Sequence, residues 1–170
     1  CIRDRYLDIP LQHCSGHVLE AMNRSGDRKS LTALMKKIRE RIPGMTLRTT
    51  LIAGFPGETK EDFAELMDFV HETAFERLGC FAYSAEEGTK AAAMENQVPE
   101  KTKLRRADHI MEQQMFINEK KNRAELGKVK KTIVEGYDKY GGVYFWRTES
   151  DAPDIYGKIF FHSEKKREMG

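Results

Sequence analysis

The sequence predicts an α/β fold followed by a smaller all-β part, and three observations carry that prediction. Leu47 to Ala53 is almost continuously apolar or β-branched after Arg48, as expected of a parallel strand covered on both faces. That run stops at Gly54-Phe55-Pro56-Gly57 and hands over to a helical pattern, a strand–turn–helix unit whose glycines let backbone approach a ligand. Beyond Gly127 the helical period gives way to short alternating segments separated by glycine turns.

Taken in order, Tyr6 to His13 alternates apolar and polar residues, with Pro10 inside the run. Proline removes a ladder donor, so this first strand is an edge, bulged or irregular. A short helix should follow, with Ser15 at its N-cap and Val18, Leu19 and Met22 on its apolar face. Ser25-Gly26-Asp27 breaks the chain. Leu31, Leu34, Met35, Ile38 and Ile42 then recur at helical spacing until Pro43-Gly44 ends the helix. After the central strand, Thr59 and Asp62 have capping-box spacing ahead of Phe63, Leu66, Met67 and Val70. Leu78 to Tyr83 is the next strand, with Glu86-Glu87-Gly88-Thr89 as the loop at its end. Pro99 opens a long charged helix running to about Leu126, with Leu104, Ala107, Met111, Gln114 and Ile117 facing the core and Gly127 as C-cap. Thr132 to Tyr137, Val143 to Thr148 and Lys158 to His162 are three strands, the first two joined at Tyr140-Gly141-Gly142. A domain boundary is expected near residues 123–128. The α/β part holds about three strand units, whereas a closed (β/α) barrel needs eight strands and about 250 residues. The sequence therefore reads as a fragment of two domains, with Cys1 at its start and no methionine there.

Composition narrows the class. The 170 residues are 39% hydrophobic and 33% charged, the balance of a globular and not a disordered chain. A formal net charge of +2 gives no polyelectrolyte signal for nucleic acid. Short basic runs such as Lys128-Val129-Lys130-Lys131 and Lys165-Lys166-Arg167 read as solvated faces. No apolar run approaches the roughly 20 residues of a membrane helix, and no signal peptide is visible. Cys1, Cys14 and Cys80 match no zinc or iron–sulfur spacing, so no metal ligand set is expected in this chain. Sparse, odd thiols suit a reducing compartment, with cytoplasm as the default. Cys14 and Cys80 read as small buried apolar residues.

One ordered set of motifs is more specific. Tyr6-Leu7-Asp8-Ile9-Pro10-Leu11-Gln12-His13-Cys14-Ser15 and Gly54-Phe55-Pro56-Gly57-Glu58-Thr59 resemble the radical-SAM methylthiotransferases. The likeness continues through Tyr83-Ser84, Glu87-Gly88-Thr89, Asn96-Gln97-Val98-Pro99 and Asp151-Ala152-Pro153. Gln12-His13-Cys14-Ser15 resembles the RimO branch, which modifies a ribosomal protein; the tRNA-modifying MiaB branch usually has Gln-Ser-Gly-Ser there. The resemblance implies that residues 1–123 are the C-terminal part of a radical-SAM core, a partial (β/α) barrel. It implies that residues 124–170 begin a TRAM domain, a small β-barrel that docks the macromolecular substrate. The family's Cys-x3-Cys-x2-Cys cluster motif and its amino-terminal domain are absent. Tyr156 and Trp146 stand where the family usually has an aspartate and a small residue.

For function, the resemblance implies a transferase that adds a methylthio group to the β-carbon of an aspartate in a small-subunit ribosomal protein. It implies S-adenosyl-L-methionine and, in the full-length protein, 4Fe-4S clusters whose ligands are not in this chain. Gln12 and Ser15 would bond ribose or carboxylate oxygens. Arg48 would pair with the methionine carboxylate, since its planar fork suits that geometry. Gly54 and Phe55 would line the adenine, and Tyr83 and Ser84 would complete the pocket. Each has an alternative: Arg48 in a neighbouring carboxylate, Phe55 in the core, and His13 as a hydrogen-bonded structural residue and not an acid–base group. Three other functions stay open: a tRNA adenosine methylthiotransferase fragment, a catalytically silent module that binds substrate or S-adenosylmethionine, and a generic barrel enzyme holding a phosphate at the Gly54–Gly57 turn.

Overall fold

The computed structural model describes residues 6–148, 150, 151 and 159–163. Cys1, Ala152, Pro153, Tyr156 and the Lys165-Lys166-Arg167 run lie outside the described residues. The chain divides into two compact units, one spanning Leu7–Ala124 and the other including the residues from Glu125 onward.

The first unit contains β1 (Tyr6–Asp8, entering it at Leu7), α1 (Gly16–Ala21), α2 (Arg28–Arg41), β2 (Thr46–Ala53), α3 (Lys60–Thr73), β3 (Arg77–Ala82) and α4 (Glu100–Arg123). Its sheet has the order β1-β2-β3, and β2 pairs with β3 in parallel from Arg48 opposite Arg77 to Ala53 opposite Ala82. Strand side chains alternate between faces. Leu47, Thr49, Leu51 and Ala53 are buried on one face, while Arg48, Thr50 and Ile52 are half-buried on the other. The first face packs on Met35 of α2, Leu66, Phe69 and Val70 of α3, and Ala107 and Ile110 of α4. Each of the larger of these side chains contributes about 1.5–3 kcal/mol when taken out of water. The continuous apolar run predicts two covered faces. Among the described residues only one is fully covered, and Phe81 beside Ile52 is 63% exposed.

Local chemistry explains the helix ends. Asp27, read from the sequence only as part of a break, caps α2 through the Ser30 N–H, and Ser30 returns the bond to the Asp27 N–H. That Ser30 N–H holds the Asp27 carboxyl below its ordinary value. Thr59 and Asp62 form the predicted capping box of α3. The long helix differs in its facing. Ala107 and Gln114 are buried as predicted, but Leu104 is 51% exposed and Met111 37% exposed. The buried face is Lys103, Arg106, Ala107, Ile110 and Gln114. Two cations turn inward because a buried carboxylate and a glycine receive them. Pro99 takes the N-cap position and the helix stops at Arg123, so Gly127, at a φ of +79°, ends the following turn and not the helix.

The second unit is a three-stranded antiparallel sheet, β4 (Thr132–Asp138), β5 (Val143–Thr148) and β6 (Ile159–Phe161), in sequence order. The register shifts between Val134 and Gly136, a bulge that adds local twist. Gly136 is needed there because a Cβ would lie 2.3 Å from the Phe145 ring. On the other face Trp146 stacks on Phe161 at 4.4 Å and Tyr144 on Phe161 at 5.4 Å.

Candidate functional site at the strand ends

The turn after β2 begins with Gly54 at a φ of +77° and reaches Gly57 at +85°, left-handed values that disfavour a side chain. Three of its N–H groups have partners within the chain. The Gly54 N–H donates to Glu58 Oε2 at 2.6 Å, the Glu58 N–H to the Phe55 carbonyl at 3.0 Å, and the Gly57 N–H to the Asn96 carbonyl at 2.8 Å. Glu58 is buried, and its Oε1 accepts from Arg106 of α4 at 2.7 Å. Arg106 also donates to the Glu58 carbonyl at 3.1 Å. A buried pair of this kind is costly to assemble and more costly to break, because removal of one partner strands the other charge. Its effect is to lock the turn to α4.

Beside it, His13 is fully buried. Its Nδ1 accepts the Ser15 N–H at 3.0 Å, which leaves the ring proton on Nε2, 3.6 Å from Glu58 Oε2. That Nε2 is buried without a hydrogen-bond partner among the described residues. Ser15 is committed: its hydroxyl donates to Asp62 Oδ1 at 2.6 Å. Burial raises the Asp62 pKa, but the bonds from Ser15 and Thr59 outweigh it and leave the carboxyl below its ordinary value.

The strand ends bring five of the seven candidate residues together. Gln12 bridges Leu51 in parallel, its N–H donating to the Thr50 carbonyl and its carbonyl accepting from Ile52. It holds a φ of +71°, a strained value for a non-glycine residue and one that clusters at functional sites. Tyr83 continues β3, its N–H donating to the Ala53 carbonyl, so it stands abreast of Gly54, and the exposed Ser84 follows. Phe55 is 6% exposed, edge-on to Tyr83 at 5.1 Å and packed with Val18, so its ring belongs largely to the core. The Tyr83 hydroxyl is buried with no hydrogen-bond partner among the described residues. Ser15 lies one turn away, bonded to α3. Arg48 is not brought to this group. It sits six positions before Gly54, roughly 20 Å along an extended strand, and donates to Asp8 at 2.5 Å.

Sequence patterns missed Glu58, Arg106 and Lys103. The signal was present as apolar spacing continued through charged positions: 103, 107, 110 and 114 share one face of a helix. A cleft of about 540 Å³ lies beside the turn, lined by Gly57, Thr59, Asn96, Val98, Thr102 and Arg106. Burial pushes the Cys14 and Cys80 thiols up to about 12. Among the described residues no group of three or more His, Cys, Asp or Glu could hold a metal ion, and no helix is long and apolar enough to cross a membrane.

Residues 2–70 match the model of the Radical SAM superfamily. The chain is 52% identical, over 94% of its length and 36% of the relative's, to the ribosomal protein uS12 methylthiotransferase RimO of Pelotomaculum thermopropionicum. It is 44% identical to the RimO of Caldanaerobacter subterraneus subsp. tengcongensis, over 95% of this chain and 36% of that protein. It therefore spans about a third of the length of these curated relatives. Among solved structures, the coproporphyrinogen III oxidase HemN of Escherichia coli, described as a radical SAM enzyme, matches with a TM-score of 0.53. That match has 26% identity and covers 68% of this chain and 26% of HemN. With strand ends, turn and parallel sheet as described, the chain belongs to the radical SAM superfamily and, within it, to the RimO methylthiotransferase family.

Proposed function

We propose that this chain is part of a methylthiotransferase that adds a methylthio group to the β-carbon of an aspartate in ribosomal protein uS12. The observation that carries this reading is 52% identity to a RimO protein across 94% of the chain. The residues at the strand ends fit S-adenosylmethionine in kind. Gln12 supplies a half-buried residue in a strained backbone position, the Tyr83 hydroxyl is a buried orphan, and the Gly54 N–H is held by Glu58. When bound beside a reduced four-iron cluster, S-adenosylmethionine supplies hydrogen abstraction at an unactivated carbon. The chain's own residues bind, orient and exclude water. Gln12 and Ser84 would take polar groups of the ligand, and Ile52 with the Gly54–Phe55 backbone an apolar edge. Ser15 acts through Asp62, as a brace for α3. The cluster ligands would lie outside the described residues.

In this reading residues 1–123 are the C-terminal part of the radical-SAM core, and residues 124–170 begin a TRAM domain that docks the substrate. The antiparallel β4-β5-β6 sheet supports the start of such a barrel. A ribosomal substrate puts the reaction in the cytoplasm. The test is anaerobic reconstitution of the full-length protein, followed by mass spectrometry of uS12 and of tRNA after incubation. A mass gain on the uS12 aspartate is expected; modification of tRNA alone would transfer the chain to the MiaB type.

A further inference from the structure

The missing Cβ of Gly54 makes room for α4. A Cβ there would lie 2.4 Å from Lys103 Cγ, 2.8 Å from its Cβ and 3.0 Å from its Cα, whereas the same position on Gly57 has nothing within 4 Å. Lys103 is only 6% exposed, unusual for lysine. Its Nζ is 3.3 Å from Glu100 Oε2 and 5.1 Å from the Tyr83 ring centroid. One side chain thus touches the end of β2 through its stem and the residue that continues β3 through its ammonium group. Long cationic side chains commonly divide their contacts this way.

We propose that Lys103 is a positioning residue for the S-adenosylmethionine pocket, setting the height of the Gly54 turn and the orientation of Tyr83 from the helix side. This rests on the function proposed above. Glu58 holds the Gly54 N–H from below, and the Lys103 stem closes the side where a Cβ would project. The Ala53–Gly54 peptide and the Gly54 Cα are then fixed from two sides. A ligand that reads this backbone gains affinity from its being fixed before binding.

The experiment uses the reconstituted full-length protein, with two readouts: the S-adenosylmethionine dissociation constant by equilibrium dialysis and the thermal midpoint. Lys103→Gly should raise the dissociation constant about tenfold, while Lys103→Met, which keeps the stem and loses only the ammonium contact with Tyr83, should raise it about threefold. Gly54→Ala should raise it about tenfold in the wild-type background and about threefold or less in the Lys103→Gly background, since the two positions share one space. Equal factors in both backgrounds would trace the Gly54→Ala cost to its left-handed backbone or to the ligand, and not to the Lys103 stem, and would overturn the proposal. A lowered midpoint for Lys103→Gly with unchanged affinity would overturn it too, leaving Lys103 only a packing role. Wild-type protein that fails to bind S-adenosylmethionine would sink the proposed function and this inference together. Binding by the wild type with uncoupled variants would sink this inference alone.

Discussion

The two units are stabilised by different means. In the α/β unit, residues far apart in sequence meet in a dry interior: Glu58 with Arg106, Ser15 with Asp62, and Leu51 with Ile110 in one core. In the β unit the strand contacts join cross-strand neighbours, with Thr132 opposite Thr148 and a stack of Tyr137, Tyr144, Phe161 and Trp146. The most buried apolar side chains among the described residues all fall between Leu11 and Ile110. Charge placed inside a core is tolerated only where the geometry is nearly fixed, so the α/β unit should respond sharply to single polar changes. A ladder of rings should respond in smaller steps.

The contrast can be broken most directly at Glu58. Glu58→Ala leaves Arg106 buried without its carboxylate and should cost about 3–5 kcal/mol in urea unfolding of the full-length protein. A loss below about 1 kcal/mol would mean that water reaches the pair and that the contrast is false. Next is Gly136→Ala, which drives a methyl group into the Phe145 ring and should cost about 1–3 kcal/mol by the same measurement. A larger loss there than at Glu58 would reverse the ranking of the units. Thr59→Ala should cost about 1 kcal/mol through the lost α3 cap. Its partner Asp62 adds a pH signature. The folded carboxyl lies below its ordinary value, so its contribution is complete above the unfolded value of about 3.9 and fades as pH falls through the folded one. The stability gap between wild type and Asp62→Asn should therefore narrow in acid; a gap constant from pH 7 to pH 2.5 would refute the assignment. The smallest effect is expected at Arg48. Its pair with Asp8 is partly exposed, so Arg48→Met should change stability by about 0–1 kcal/mol. The same variant tests its role: a large loss of S-adenosylmethionine affinity would return Arg48 to the pocket.

Much of the fold was legible because its signals are local. The Thr59–Asp62 cap, the β2 run and the three later strands all appear where sequence pattern put them. What stayed hidden depends on contacts across the chain. The facing of α4 was misassigned at Leu104 and Met111 because periodicity weights apolar residues, and Lys103 and Arg106 are buried by partners about 50 positions earlier. For the same reason the burial of Glu58 carried no local signal. The candidate site was legible as a place, the ends of parallel strands, and only partly as a set. Gln12, Gly54 and Tyr83 share that place, whereas the partners that engage Ser15 and Arg48 carry no local signature.

The burial of Cys14 and the half-burial of Cys80 have a practical consequence for anyone loading iron into the protein. At pH 8, a group titrating at about 12 is ionised in roughly one molecule in ten thousand, and the ionised form is what captures iron or an alkylating reagent. These two positions should stay silent toward iodoacetamide and toward stray ferrous sulfide. Labelling observed on the folded protein can then be assigned to other cysteines, without first mutating this pair.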